Sequence, residues 1–177
     1  MLLYETKIAP NPRRVRIFLA EKGIEVPTKE IDLGKGEHKT PEYRQIAPNS
    51  RVPALELDDG TVILETVAIC RYFDAQQPAP ALFGEGQLGQ ALVEMWQRRM
   101  ELELMFPLAF VFRHTHPGMA KLEAQNAEFA TQQKKVVNRG LKALDERLQE
   151  SAFLAGAHYS IADITAQVSL DFFLPLI

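Results

Sequence analysis

A hairpin signal near residue 60 constrains the fold of this chain more than any other feature. Asp59-Gly60 lies between apolar runs at residues 54–57 and 62–64, and Asp-Gly in that setting predicts a tight turn between antiparallel strands. The second run leads directly into Glu65-Thr66, where the apolar spacing becomes helical. The segment therefore predicts strand, turn, strand and helix start in immediate succession.

The start of this helix has the chemistry of a site for an amino acid. Thr66 or its neighbour is expected to cap the helix, and a helix N-terminus carries a partial positive charge. The free N–H groups there accept a carboxylate, and the acid Glu65 beside them can take an ammonium. A ligand with an amine and a carboxylate on one carbon, such as the γ-glutamyl end of glutathione, fits this pair.

The same block resembles the glutathione S-transferase family. The family pattern is an apolar residue, a proline, a hairpin, an acid followed by a hydroxyl residue, and an apolar helix. It is matched here by Val52, Pro53, Glu65, Thr66, Ala68, Ile69, Tyr72 and Phe73. The resemblance implies that Pro53 is cis and that the backbone of Val52 binds the cysteinyl part of glutathione as an added strand.

The element order predicts an α/β N-terminal domain. Residues 1–76 are interpreted as strand, helix, strand, short helix, two strands and helix, and this order fits the thioredoxin-like, glutathione-binding domain of the family. The first strand is expected at residues 2–4, the first helix from about Arg13 to Lys22, and the second strand at residues 27–33. Gly23 is expected to end the first helix.

The rest of the chain predicts an all-α domain. Residues 77–87 are rich in Pro and Gly and indicate a linker. Residues 88–177 lack strand signals, and long amphipathic helices at 88–114 and 120–148 favour a helical bundle. Pro107 is expected to kink the first of these helices.

A capping-box pattern at residues 160–163 opens a further helix near the end of the chain, and the family shares this structural feature. Relatives continue past it with additional helices, whereas this chain stops at Ile177 with an apolar end. We therefore expect the C-terminal domain to be incomplete at its C-terminus.

Composition argues against several classes of partner and site. A net charge of −3 and a pI near 5.8 disfavour a nucleic-acid or anionic-membrane surface. No segment approaches the ~20 apolar residues of a membrane span, and no signal peptide is recognisable. Cys70 is the only cysteine, and His114 and His116 lack acidic or thiol partners, so no metal site is expected. The predicted location is the cytoplasm.

Glutathione chemistry requires a lowered thiol pKa. A shift of about two units from a reference near 8.5 needs roughly 2.7 kcal/mol of thiolate stabilisation. The family places a serine, cysteine or tyrosine near the first strand–helix junction, but here Ala9 occupies the serine-type position, and Tyr4 lies too early and is expected in the core. We predict Asn11 as the thiolate donor, Thr6 as a second candidate, and Arg13 as a nearby positive charge. The alternative makes Asn11 a loop or capping residue in a weakly active glutathione binder.

The resemblance assigns further contacts by position. His38 and Lys39 are expected at the glycyl carboxylate, with Asn49 and Arg51 as additional glycyl-end candidates. The electrophile is expected between the domains along the first long helix, where two or three residues of a larger set should contact it. The candidates are Trp96, Met100, Leu104, Phe110 and Arg113.

The main interpretation is a cytosolic, homodimeric glutathione S-transferase that detoxifies small hydrophobic electrophiles. The dimer interface is expected to use residues 59–71 and the first halves of the long helices. One alternative keeps the glutathione site but performs isomerisation, thiol peroxidase or dehalogenase chemistry. Another is a non-catalytic binding module for protein assembly or stress, an alternative that Ala9 leaves open.

Overall fold

A computed structural model describes every residue of the chain, 1–177. The chain divides into a first unit, Met1–Pro80, and a second unit, Ala81–Ile177. The first unit contains β1 (Leu2–Glu5), α1 (Pro10–Lys22), β2 (Thr28–Glu30), a 3-10 turn (Glu37–Lys39), α2 (Pro41–Ile46), β3 (Ala54–Glu56), β4 (Val62–Leu64) and α3 (Thr66–Gln76). The second contains α4 (Gly86–Arg99), a π-helical segment (Met100–Met105), α5 (Phe106–Thr115), α6 (Ala127–Glu150) and α7 (Ile161–Phe173), with 3-10 turns at Pro117–Met119 and Leu174–Leu176.

The first unit has the predicted thioredoxin-like sheet. Its strand order is β2-β1-β3-β4, with β1 and β2 parallel and the other neighbours antiparallel. The predicted second strand at 27–33 is too long, since β2 covers only Thr28–Glu30. All its residues are exposed, so the strand has no buried face whose apolar pattern could define its ends.

Helix α1 begins at Pro10, earlier than the predicted start near Arg13. Proline is well tolerated at a first helical position, because its φ is preset and it has no N–H to leave unpaired. The predicted end is confirmed: Gly23 adopts φ 65° and its N–H bonds to carbonyls of the last turn. The buried face carries Val15, Phe18 and Leu19, as predicted.

The second unit is all helical, as predicted, but the helices have different bounds. The predicted helix at 88–114 is interrupted by the π-helical segment, which ends immediately before α5. Pro107 has no N–H to donate to the preceding turn. Near this proline, the helix departs from regular α geometry through the π-helical segment, whose turns are wider. The predicted helix at 120–148 starts only at Ala127, because the side chain of Asn126 caps it by accepting from the Phe129 N–H at 2.9 Å.

Part of the predicted linker is packed rather than free. Leu82 and Phe83, within residues 77–87, are buried. The carbonyl of Leu82 accepts the N–H of Ile161, the first residue of α7, at 3.0 Å. Composition suggested a linker because Pro and Gly are frequent there, but these apolar side chains belong to the second unit.

The capping box at the start of α7 is confirmed. Asp163 Oδ2 accepts from the backbone N–H of Ser160 at 2.9 Å and from its hydroxyl at 2.7 Å. Asp163 Oδ1 accepts from the N–H of Leu154 at 2.8 Å. One buried carboxylate therefore fixes the helix start and the preceding loop. None of the helices combines the length and apolar character that crossing a bilayer requires.

A close approach of α6 to the π-helical segment yields the first prediction. A Cβ on Gly140 of α6 would lie 2.5 Å from the carbonyl oxygen of Glu103, so Gly140→Ala should lower the free energy of unfolding by about 1–3 kcal/mol. Gly89 in α4 is the control, because its added Cβ would meet nothing closer than 3.7 Å. Gly89→Ala should stabilise by about 0.5–1 kcal/mol. Urea denaturation measures both, and equal effects of the two substitutions would contradict the close packing.

Candidate functional site

The strand register brings three predicted site segments to one end of the sheet. Ala54, the first residue of β3, pairs with Tyr4 near the end of β1 and with Leu64 at the end of β4. Residues 52–53 lead into Ala54, whereas residues 5–11 and 65–66 follow its two partners. The proline loop, the start of α1 and the start of α3 are therefore neighbours at this edge.

The loop before β3 presents an unpaired backbone. The peptide bond between Val52 and Pro53 is cis, which confirms the expectation carried by the family resemblance. None of the loop's hydrogen bonds uses the N–H or C=O of Val52, which is partly exposed. This backbone is free to pair with an extended peptide in the manner of an added strand.

Side chains of helix α2 form hydrogen bonds with this loop. The Tyr43 hydroxyl donates to the carbonyl of Arg51 at 2.7 Å, and Arg44 Nε donates to the Ser50 hydroxyl at 3.1 Å. The Asn49 side chain accepts the N–H of Arg51 at 3.1 Å. The Asn49 oxygen, predicted at the glycyl end, therefore closes the turn, while the Arg51 side chain is exposed.

The two non-glycine residues with positive φ both lie at this site: Ser50 at 55° and Glu65 at 71°. Such conformations cost about 1–3 kcal/mol each and cluster at functional sites. Glu65 is exposed and occupies the N-cap position of α3, but its side chain does not cap the helix. The first N–H groups of α3 therefore have no side-chain cap, and Thr66 is buried at the first helical position.

The start of α1 likewise has no side-chain cap, because its N-cap residue is Ala9. Asn11 is half-buried in the first turn, and Arg14 Nη1 lies 3.3 Å from its Oδ1. A guanidinium can only donate, so the amide oxygen faces Arg14. The NH₂ group of Asn11, which is a donor, is therefore not the atom that contacts Arg14.

The two hydroxyl residues near the first strand–helix junction, Thr6 and Tyr4, are both buried. Thr6 is only 2% exposed, and its carbonyl accepts from Arg16 at 3.1 Å, while Arg16 also pairs with the buried Glu5. Tyr4 is a core residue, as predicted, and its hydroxyl donates to Glu56 at 2.6 Å. Burial, reinforced by Glu56, raises the pKa of Tyr4 to about 12, so its phenol stays protonated.

The glycyl-end candidates lie in and near the 3-10 turn. His38 is half-buried, with an Nδ1 that has no hydrogen-bond partner. Burial, and secondarily Lys39, lower its pKa below the ordinary value, so at neutral pH it is an uncharged ring. Lys39 is exposed. Arg13, which was predicted as a positive charge near the thiolate rather than at the glycyl end, is half-buried on α1. No hydrogen bond joins His38 or Lys39 to the proline loop.

Several electrophile-site candidates prove to be core residues. Met100 and Leu104 have no exposed surface and pack within the core of the second unit. Trp96 is 7% exposed, with the guanidinium of Arg99 over its ring at 4.3 Å. The assignment of Trp96, Met100 and Leu104 to the electrophile site is therefore corrected: they are core residues. Helical spacing predicts which residues share one face of a helix, but it does not show whether other elements bury that face.

The other two electrophile candidates lie on the surface of α5. Phe110 is exposed and meets the edge of Phe129 with 5.5 Å between ring centroids. Arg113 is exposed and pairs with Glu123.

Cys70 is fully buried, and burial raises its thiol pKa to about 12, which agrees with the predicted packing role. No group of three or more His, Cys, Asp or Glu side chains is placed to hold a metal ion.

Sequence reasoning overlooked two polar residues that contact the site, Arg14 and Tyr43. Both are buried, and they contact the site through hydrogen bonds that no sequence motif indicated: Arg14 to the Asn11 side chain, and Tyr43 to the backbone carbonyl of Arg51.

A thioredoxin-like unit with a cis-proline loop, followed in the chain by an all-helical unit, is the two-domain class that the family resemblance predicts. Comparison of the chain with models of known protein families identifies the family within this class. Residues 8–76 match the family described as "Glutathione S-transferase, N-terminal domain", and residues 100–176 match "Glutathione S-transferase, C-terminal domain".

Individual proteins agree with these matches. Glutathione S-transferase 2 of Saccharomyces cerevisiae is 41% identical over 176 residues, covering 97% of this chain and 76% of the relative. The crystal structure of Gtt2 from Saccharomyces cerevisiae, also 41% identical, superimposes with a TM-score of 0.89 over 97% of this chain and 85% of that one. The maleylacetoacetate isomerase of Pseudomonas aeruginosa is 37% identical over 93 residues, covering 51% of this chain and 44% of the relative. The chain belongs to the glutathione S-transferase family.

Proposed function

We propose that this glutathione transferase lowers the pKa of the glutathione thiol at the start of α1 and transfers the thiolate to an electrophilic carbon of a small apolar molecule. The observation that carries the proposal is the unpaired backbone of Val52 before a cis proline, next to two helix starts without side-chain caps. An extended tripeptide can use all three segments at once.

Each part of glutathione has a proposed partner. The γ-glutamyl ammonium binds Glu65 and its carboxylate binds the start of α3 at Thr66. The cysteinyl backbone pairs with Val52 beside Pro53. At the glycyl end, the proposed contacts are made by His38, Lys39 and Arg51, with Asn49 supporting them by closing the turn.

The Glu65 assignment gives a binding prediction. Glu65→Ala should weaken glutathione binding by about 1.5–3 kcal/mol, the range for a hydrogen bond to a charged group. Glu42→Ala, which removes an exposed acid of α2, should leave the affinity unchanged. Isothermal titration calorimetry measures both, and an unaltered affinity in the Glu65 variant would refute this assignment.

The chemical step begins with loss of the thiol proton to solvent. The Asn11 NH₂ group, the positive end of the α1 dipole and the nearby guanidinium of Arg13 stabilise the resulting thiolate. The sulfur then bonds to the electrophilic carbon, and the leaving group departs with its electron pair. The exposed surface of α5 around Phe110 and Arg113 is the proposed contact for the electrophile.

The Asn11 assignment gives a pKa prediction. Losing a donor to a charged acceptor costs roughly 1.5–3 kcal/mol, so Asn11→Ala should raise the pKa of bound glutathione by about one to two units. Ultraviolet titration of the bound thiolate measures this pKa. Asn138→Ala, on the exposed face of α6, is the control.

Other outcomes of that titration identify other donors. If Thr6→Val raises the pKa and Asn11→Ala does not, the hydroxyl is the donor and the Asn11 assignment is wrong. If neither substitution moves it, backbone N–H groups and the helix dipole stabilise the thiolate without either side chain.

The match to an isomerase supports a second candidate reaction. An isomerase would use the same thiolate to add to a double bond and would release glutathione unchanged after rearrangement. Product analysis separates the two reactions, because transfer consumes glutathione in proportion to product and isomerisation regenerates it. We propose transfer as the main activity, in cytoplasmic detoxification.

We also propose a homodimer. Exposed apolar side chains recur on one face of the α4–π–α5 run, namely Leu88 (72% exposed), Met95, Leu102 (52%) and Phe106. The first three are seven residues apart in sequence, which aligns them along a helix. An apolar stripe of this kind indicates a partner surface, and a two-fold dimer is the commonest closed assembly. Residues 59–71 are the proposed opposite surface.

The dimer proposal predicts the effect of a charge in the stripe. Wild-type protein should sediment as a dimer at micromolar concentration, and Leu102→Glu should sediment as a monomer, because dimerisation would bury the new carboxylate. Leu148→Glu changes a similarly exposed leucine on α6 and should remain dimeric. A monomeric wild-type protein would refute the proposal.

A further inference from the structure

We infer that Tyr43 is a positioning residue for glutathione, because its hydroxyl orients the peptide group that carries the Val52 N–H. This inference rests on the proposed function. Tyr43 lies on α2, is 4% exposed, and donates to the carbonyl of Arg51 at 2.7 Å. That distance is typical of a well-formed O–H···O bond.

The geometry of one peptide plane links the tyrosine to the ligand. The carbonyl of Arg51 and the N–H of Val52 belong to the same peptide group, which is planar and trans. In a trans peptide the C=O and N–H point in opposite directions. A hydroxyl that holds the carbonyl toward α2 therefore holds the Val52 N–H on the side away from α2, where it is available to the cysteinyl backbone.

The tyrosine is itself well fixed. Its ring meets the ring of Tyr4 edge-on, with the two ring centroids 6.0 Å apart. Burial raises the pKa of Tyr43 to about 12, so the hydroxyl remains a donor at any pH used for assay. A donor that neither rotates freely nor ionises can fix the orientation of the carbonyl.

The other contacts of the loop do not replace this bond. Arg44 binds the Ser50 side chain from the surface of the protein, and Asn49 binds the Arg51 N–H. Neither contact reaches the peptide group between Arg51 and Val52. Without the Tyr43 hydroxyl, that peptide group can rotate, and only part of the population would present the Val52 N–H to the ligand.

Tyr43→Phe tests this role with little change in packing. The KM for glutathione should rise about two- to tenfold, the factor that corresponds to one hydrogen bond. The kcat at saturating glutathione and the pH dependence of kcat should not change, because the start of α1 is untouched. A substitution that only lowered stability would leave KM unchanged in the folded enzyme.

Tyr4→Phe is the matched control. It removes the hydroxyl of the adjacent buried ring, whose partner is Glu56 rather than the loop, so the KM should stay at the wild-type value. An unchanged KM in Tyr43→Phe, or an equal rise in both variants, would overturn the inference. Failure of the proposed function looks different, because wild-type protein itself would then show no glutathione binding by calorimetry.

Discussion

The pairing of Ala54 with strands on both sides is the interaction on which the rest of the site depends. Its contacts with Tyr4 and Leu64 place β3 between the end of β1 and the end of β4. Because β1 leads to α1 and β4 leads directly to α3, this register sets two helix starts beside the proline loop. A slip of one residue would turn every side chain of β3 to the opposite face, and it would also separate the three segments.

Both helix starts leave their first N–H groups without a side-chain cap, since the Ala9 side chain has no acceptor atom and the Glu65 side chain does not cap α3. An N-cap contributes about 1 kcal/mol to stability, and the positive φ of Ser50 and Glu65 costs more. These local losses all lie at the edge of the sheet where the strand register brings the proline loop and the two helix starts together. This pattern agrees with the general tendency of strained backbone to concentrate at functional sites.

Sequence patterns predicted the features that local chemistry determines. The Asp-Gly hairpin, the glycine end of α1 and the capping box at Ser160 each depend on a few neighbouring residues, and all three are present. The errors concern features that depend on distant contacts. The exposed strand β2 has no buried face to mark its ends. The π-helical segment lies close to Gly140 of α6, a distant contact that the sequence pattern does not show. Helical spacing also did not reveal that Met100 and Leu104 are fully buried. The hydrogen bond from the Tyr43 hydroxyl to the Arg51 carbonyl could not be predicted either, because the sequence does not show which group this hydroxyl contacts.

We propose that Val52 binds the cysteinyl part of glutathione through its backbone, with the sulfur at the start of α1. A crystal structure of the protein with bound glutathione would show both contacts. We expect the Val52 N–H and C=O both to bond to the cysteinyl backbone at about 3 Å, with the sulfur within hydrogen-bond reach of the Asn11 amide. Glutathione bound with its cysteinyl backbone away from Val52, or with its sulfur remote from α1, would refute this binding mode.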